Sequence, residues 1–266
     1  MRYTRQGISI EYDDIGNGVP LLLIHAFPLD RAIWHAQIAG LQQQYRVIAP
    51  DLRGFGQSSD TDGEAVSMDQ YAEDIKALLD SINVRQAVVG GISMGGYIAL
   101  AFAAQYPDRV KGLILANTRA VPDTEDGKQA RLTNAERVRD NGTAFLVDAM
   151  ASKMLGPSAK AEATYTVRSI MTRQRKPGVR SALLGMAARP DRTPLLRFIT
   201  APTVIITGSA DALIPPGDSE AMHDLIPNST LVNVPDAGHL SNLDKADAFN
   251  DAVREFYGRI VNSSAG

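Results

Sequence analysis

Gly91-Ile92-Ser93-Met94-Gly95 is entered by the branched apolar pair Val88-Val89 and left by a long apolar run from Tyr97 to Ala104. This pattern predicts a strand, a sharp elbow and a helix, with the serine at the apex. A residue forced into such a turn leaves little room for neighbouring side chains. Glycines at Gly91 and Gly95 therefore let strand and helix pass closely and leave the Ser93 hydroxyl presented as a nucleophile. The five-residue pattern alone recurs by chance, and its placement between strand and helix gives it meaning.

Working outward from the elbow, branched apolar runs recur at Leu21 to Ile24, Val47-Ile48, Ala87 to Val89, Leu113 to Leu115, Thr203 to Ile206 and Leu231 to Val234. Between most of them lie amphipathic stretches. Asp69 to Ile82, for example, carries Tyr71, Ile75, Leu78, Leu79 and Ile82 at helical spacing, with Glu73, Asp74 and Lys76 interleaved. Near-continuous apolar strands alternating with helices predict an α/β fold with a mostly parallel central sheet covered by helices on both faces.

The alternation breaks between about Arg119 and Arg197, where helical patterns such as Ala144 to Leu155 and Ala161 to Gln174 follow one another with no strand between them. The expected organisation is a core domain over 1–118 and 199–266 with a helical cap inserted at 119–198. The cap holds 15 basic and 8 acidic residues, about +7, and the remainder 12 basic and 22 acidic, about −10. Such an asymmetry would attract cap to core and would steer anionic esters or lactones, with Arg173, Arg175 and Lys176 as the densest basic cluster. A merely solvated basic face is the competing reading.

Composition narrows the function. The chain has 266 residues, 44% hydrophobic and 21% charged, with a formal charge of −3, which points away from disorder and from nucleic-acid binding. It contains no cysteine, which excludes disulfides, thiolate metal sites and a cysteine nucleophile. The N-terminal segment lacks an apolar signal region, and no apolar run approaches the roughly 20 residues needed to span a bilayer. A cytoplasmic protein with no membrane association is expected. Ser263-Ser264-Ala265-Gly266 reads as a frayed tail.

A serine hydroxyl needs a base within reach, and only four histidines are available. His239 sits in Pro235-Asp236-Ala237-Gly238-His239, a loop following the strand around Leu231 to Val234, where α/β proteins assemble their sites. It is the expected base. His223 and His35 fall in helical segments and read as structural, and His25 ends an apolar strand near the elbow. The imidazole also needs a carboxylate to hold its tautomer. Asp211 follows the strand Thr203 to Thr207 in a loop of its own, with Asp236 as the competing acid. Asp51 reads as a brace for its own loop. Two backbone N–H groups should receive the oxyanion: Met94, directly after the nucleophile, and Phe27, whose amide hydrogen precedes Pro28.

Taken together, His25-Ala26-Phe27-Pro28, Asp51 to Ser58, Gly91 to Gly96, Asp211 and Gly238-His239 resemble the α/β-hydrolase superfamily across nearly the whole chain. Ser93-Met94-Gly95-Gly96 followed by Leu115-Ala116-Asn117-Thr118 resembles its carboxylesterase and enol-lactonase branch. Ala26 departs from the commoner glycine after the histidine. The resemblance implies a serine hydrolase of carboxylic esters or lactones that forms an acyl-enzyme, with a small-molecule substrate and neither cofactor nor metal. The order Ser93, Asp211, His239 matches this family. A cofactor-free haloperoxidase or perhydrolase with the same triad is the alternative, although such enzymes usually show tryptophan where this chain has Phe27. A non-catalytic ligand receptor of the same fold is the third reading. His25, Trp34, Met150, Met154, Leu155, Met171, Met186, Ile214 and Leu240 are the candidate pocket lining; the cap methionines are equally readable as the cap's own small core. The sequence leaves monomer and homodimer open.

Overall fold

The computed structural model describes residues 1–262, so the expectation of a frayed tail at 263–266 lies outside the described residues. Eight strands form one sheet: β1 (Arg2–Arg5), β2 (Ile8–Ile15), β3 (Val19–Ile24), β4 (Tyr45–Pro50), β5 (Ala87–Ile92), β6 (Val110–Ala116), β7 (Thr203–Gly208) and β8 (Ser229–Val234). Their spatial order is β1-β2-β4-β3-β5-β6-β7-β8. The pairs β1 with β2 and β2 with β4 are antiparallel, and every other pair is parallel. Strands β5 and β7 are buried along their full length, as a sheet covered on both faces requires.

The helices are α1 (His35–Leu41), α2 (Met68–Ser81), α3 (Met94–Gln105), α4 (Glu125–Asn141), α5 (Ala144–Met150), α6 (Ala161–Thr172), α7 (Lys176–Ala187), α8 (Pro216–Leu225), α9 (Ser241–Asp244) and α10 (Ala246–Asn262). Helix α2 matches its periodic stretch and starts at a capping box. The Ser67 hydroxyl accepts from the Gln70 N–H, and the Gln70 side chain accepts from the Ser67 N–H. Helix α3 is apolar all round and is buried from Met94 through Phe102. A uniformly apolar helix belongs in an interior, which explains its seat behind β5.

Helices α4 to α7 lie between β6 and β7 with no strand among them. Their apolar residues are continuous with those of the rest of the molecule. Ala135, Val138, Leu146, Val179, Leu183 and Met186 pack into the same apolar cluster as Leu22, Ile24, Met94 and Leu115. Met154, Val167, Ile170 and Met171 join the cluster of Leu21, Trp34, Val204 and Leu240. Helices α4 and α7 pack chiefly on each other, as α5 does on α6, and the methionines they bury are continuous with the core clusters. No helix among the described residues is long and apolar enough to cross a membrane.

The strand order reverses beside β3, which has β4 on one side and β5 on the other. At such a reversal the connections leave the sheet in opposite directions, and a crevice opens beyond the strand C-termini. The loops after β3 and β5 carry Phe27 and Ser93 to that point, while those after β6, β7 and β8 carry Asn117, Asp211 and His239.

Candidate active site

Ser93 joins β5 to α3 with φ 57° and ψ −119°, a conformation that side-chain-bearing residues rarely adopt. Space at the elbow is minimal. A Cβ added at Gly91 would stand 2.0 Å from the Gly95 carbonyl oxygen, and one at Gly95 would stand 2.1 Å from that of Ile24. The strained serine is held by neighbours: its N–H donates to Ala116 O at 2.9 Å, and its carbonyl accepts from Thr118 Oγ1 at 2.8 Å. Strain of this kind persists only where the surroundings overdetermine it.

His239 follows β8 and is nearly fully buried. Its Nδ1 pairs with Asp211 Oδ2 at 2.9 Å; because an ionised carboxylate only accepts, Nδ1 carries the proton and Nε2 is left as the basic nitrogen. Asp211 is further fixed by the Leu213 and Ile214 N–H groups on Oδ1, at 2.8 and 2.9 Å, and by Asn117 Nδ2 on Oδ2 at 2.9 Å. Burial works to raise its pKa. The hydrogen bond and charge of His239, the Ile214 N–H and the Asn117 amide outweigh that and hold the carboxyl below its usual range. Asp236, the competing acid, is exposed in a positive-φ turn, and its N–H donates to Ser209 Oγ.

Ser93 and His239 line one cavity of about 140 Å³ with Phe27, Tyr97, Arg119, Arg131, Met150, Met154, Met186, Leu213 and Ile214. Neither the Met94 N–H, at the first turn of α3, nor the Phe27 N–H has a hydrogen-bond partner among the described residues. Two free donors flanking a nucleophile are what a developing oxyanion requires.

Of the expected pocket residues, Met150, Met154, Met186 and Ile214 line this cavity, and the other five do not. His25 has both ring nitrogens engaged: Nδ1 donates to Ala26 O, and Nε2 accepts from the Leu52 N–H at 3.1 Å. Burial pushes its pKa down, in spite of the Ala26 carbonyl, Asp51 and Asp30, so it stays neutral as a clamp between two loops. Trp34 packs against Phe249 at 6.0 Å between ring centroids, in the core cluster it shares with Met171 and Leu240. Leu155 packs against that cluster, with its backbone close to Gly238. Apolar composition alone does not distinguish a wall of the cavity from the layer behind it.

Sequence reading missed Tyr97, Arg119, Arg131 and Leu213. The signal lay in Asp123, an acidic residue between Arg119 and Arg131 in sequence, which the fold buries and pairs with both. Asp51 accepts from the Arg31 and Gln57 N–H groups and pairs with the Arg31 side chain, bracing its loop. Two of the three residues of the basic cluster in the cap are paired. Arg173 bonds Asp30 through Nε and Nη2 at 2.8 and 2.7 Å, and Arg175 donates to Ser58 O at 2.6 Å with Asp60 at 3.4 Å. Among the described residues no group of His, Asp or Glu side chains is arranged to hold a metal ion.

Comparison with known proteins identifies the fold family. The family model described as alpha/beta hydrolase fold matches residues 19–246. The chain is 31% identical over 255 residues to 3-oxoadipate enol-lactonase 2 of Acinetobacter baylyi, covering 94% of this chain and 93% of that one. It is 28% identical over 268 residues to a putative non-heme bromoperoxidase of Mycobacterium tuberculosis, covering 95% and 99%. Among solved structures, a thermophilic esterase from Thermogutta terrifontis with malate bound superposes with a TM-score of 0.95 at 40% identity, covering 98% of this chain and 99% of that one.

Proposed function

Because the chain belongs to the α/β-hydrolase family, we propose that it is a serine hydrolase of small carboxylic esters or lactones, with Ser93 as nucleophile, His239 as base and Asp211 as the orienting acid. The observation that carries this reading is the Ser93 elbow opening into the same cavity as His239, whose Nδ1 is held by Asp211. Similarity to an enol-lactonase and an esterase supports the ester and lactone class.

In the reaction, Ser93 Oγ attacks the carbonyl carbon while His239 Nε2 takes its proton. The imidazolium is stabilised by Asp211, whose carboxylate stays ionised. The carbonyl oxygen, now negative, receives the Phe27 and Met94 N–H groups; loss of one such donor typically costs about 3 kcal/mol. His239 returns its proton to the departing alkoxide, and a water then repeats the sequence on the acyl-enzyme. For a lactone the departing oxygen remains tethered to the acyl group.

Intact-mass spectrometry after a fluorophosphonate tests the assignment: one adduct is expected in the native chain and none in Ser93→Ala, which should also lose hydrolysis of 4-nitrophenyl acetate. An adduct persisting in Ser93→Ala removes it. A second reading, attack of the acyl-enzyme by peroxide in place of water, is favoured by the similarity to the putative bromoperoxidase. Halogenation of monochlorodimedone in the presence of acetate, peroxide and bromide, at a rate exceeding ester hydrolysis, would establish that reading instead.

A further inference from the structure

The cavity lining includes two arginines, Arg119 and Arg131. Asp123, almost fully buried, is shared by three arginines: Arg119 Nη2 at 2.8 Å, Arg131 Nε at 2.5 Å and Arg189 Nη1 at 2.8 Å. Asp218 approaches Arg119 Nη1 only to 3.9 Å. Three guanidinium charges thus face two carboxylates, one of them distant.

Two of the three line the cavity. Arg189 donates to the Met186 and Val121 carbonyls, stacks over the Tyr97 ring at 4.2 Å and, although its Nε is also buried without a partner, is not among the residues lining the cavity. Arg119 and Arg131, by contrast, line the cavity with Ser93 and His239. Arg119 Nε is buried with no hydrogen-bond partner. Arg131 Nη1 rests 3.4 Å from the Met186 sulfur, a weak acceptor that an oxyanion would readily replace. A buried donor atom without a partner is costly unless something fills it, and arginine matches carboxylate through paired parallel hydrogen bonds.

We propose that Arg119 and Arg131 form a carboxylate-binding subsite, so that the preferred substrate is a small ester or lactone bearing a second, free carboxylate. This rests on the hydrolase reading above. Size sets the rest of the class. An apolar cavity of about 150 Å³ holds a benzene ring, so 140 Å³ admits a chain or ring of about that bulk between Ser93 and the arginines. The excess cationic charge of the helical segment acts here, at the cavity wall, and not at Arg173 and Arg175, whose charges are met by Asp30 and Asp60.

The test compares two isosteric ethyl esters, monoethyl glutarate and ethyl 4-carbamoylbutanoate, which differ only in a terminal carboxylate or amide. The readout is the ratio of their kcat/KM values, in which any general loss of activity cancels. Arg119→Gln is the variant of choice, because Asp123 keeps Arg131 and Arg189. We expect a native ratio of about 30 in favour of the hemiester, a fall of about tenfold in Arg119→Gln, and partial retention in Arg119→Lys, in line with one charge-assisted hydrogen-bonded pair. Fluorophosphonate labelling of Ser93 in each variant reports the integrity of the nucleophile. A native ratio near one, or a ratio unmoved by Arg119→Gln, overturns the subsite and leaves the hydrolase reading standing. Absence of Ser93 labelling in the native protein overturns that reading and the subsite with it.

Discussion

Asn117 Nδ2 stands 2.9 Å from Asp211 Oδ2, the same oxygen that accepts the hydrogen bond of the His239 Nδ1–H. Asn117 also reaches Gly238 O at 3.3 Å and accepts from Ser241 Oγ at 2.6 Å, so one buried amide ties the acid to both flanks of the histidine loop. It touches no reacting atom and acts by positioning. Asn117→Ala is expected to lower kcat by about tenfold or more, the scale of a hydrogen bond to a charged group, while KM changes little. Steady-state kinetics on one ester reads this directly; a rise in KM at constant kcat would place Asn117 in substrate binding instead.

Asp211→Asn should be far more damaging than Asp236→Asn. Without an ionised acceptor the imidazole loses the tautomer that leaves Nε2 basic, a defect worth about 10⁴ in kcat where it has been measured in another triad. Asp236 is exposed in its turn, and its neutralisation should alter kcat less than about threefold. Parallel kcat measurements decide, and a reversed ranking would reassign the acid.

Gly95→Ala should be destabilising as well as inactivating, because its Cβ would stand 2.1 Å from Ile24 O and 2.9 Å from His25 O. Those backbone atoms belong to β3 and the loop that carries Phe27, so relief requires the strand and helix to part. A loss of about 2 kcal/mol or more in urea unfolding is expected, in the range of overpacked interiors. Native stability in this variant would show that the crossing is looser than its geometry.

The Asp123 cluster predicts a pH dependence of stability. Burial works to raise the Asp123 carboxyl, but hydrogen bonds from Arg189 and Arg131 and their charges outweigh it and hold the carboxyl well below the usual range. A depressed folded-state pKa contributes stability that is fully present above the unfolded value, about 3.9, and is lost as pH falls toward the folded one. Asp123→Asn should therefore lower Tm most at pH 6 to 7, with the gap to the native protein closing as pH drops below about 4. Calorimetry across that range checks it, and a gap that widens on acidification would contradict the assigned sign.

What the sequence determined by itself was every feature set by local order. Alternation of apolar runs with amphipathic stretches gave the strands and helices, since burial on one or both faces imposes its own period. Ser93, Asp211 and His239 were legible because each lies in a short loop just after a strand, and parallel strands deliver such loops to one edge. The elbow was legible because only glycine permits the close crossing at Gly91 and Gly95.

The tertiary structure alone decided which side chains face the cavity. Trp34, Met171 and Leu240 have the composition of a substrate pocket and lie one layer behind it, and His25 spends both ring nitrogens on the backbone. The guanidinium groups of Arg119 and Arg131 are held by a buried carboxylate, Asp123, between them in sequence, and both residues line the cavity that Ser93 lines. Net charge counted along the chain cannot reveal this, because it does not distinguish a cation already paired, such as Arg173 on Asp30, from one with an unused donor. That distinction is set by distances of a few ångströms between residues far apart in sequence, and only the packed chain fixes them.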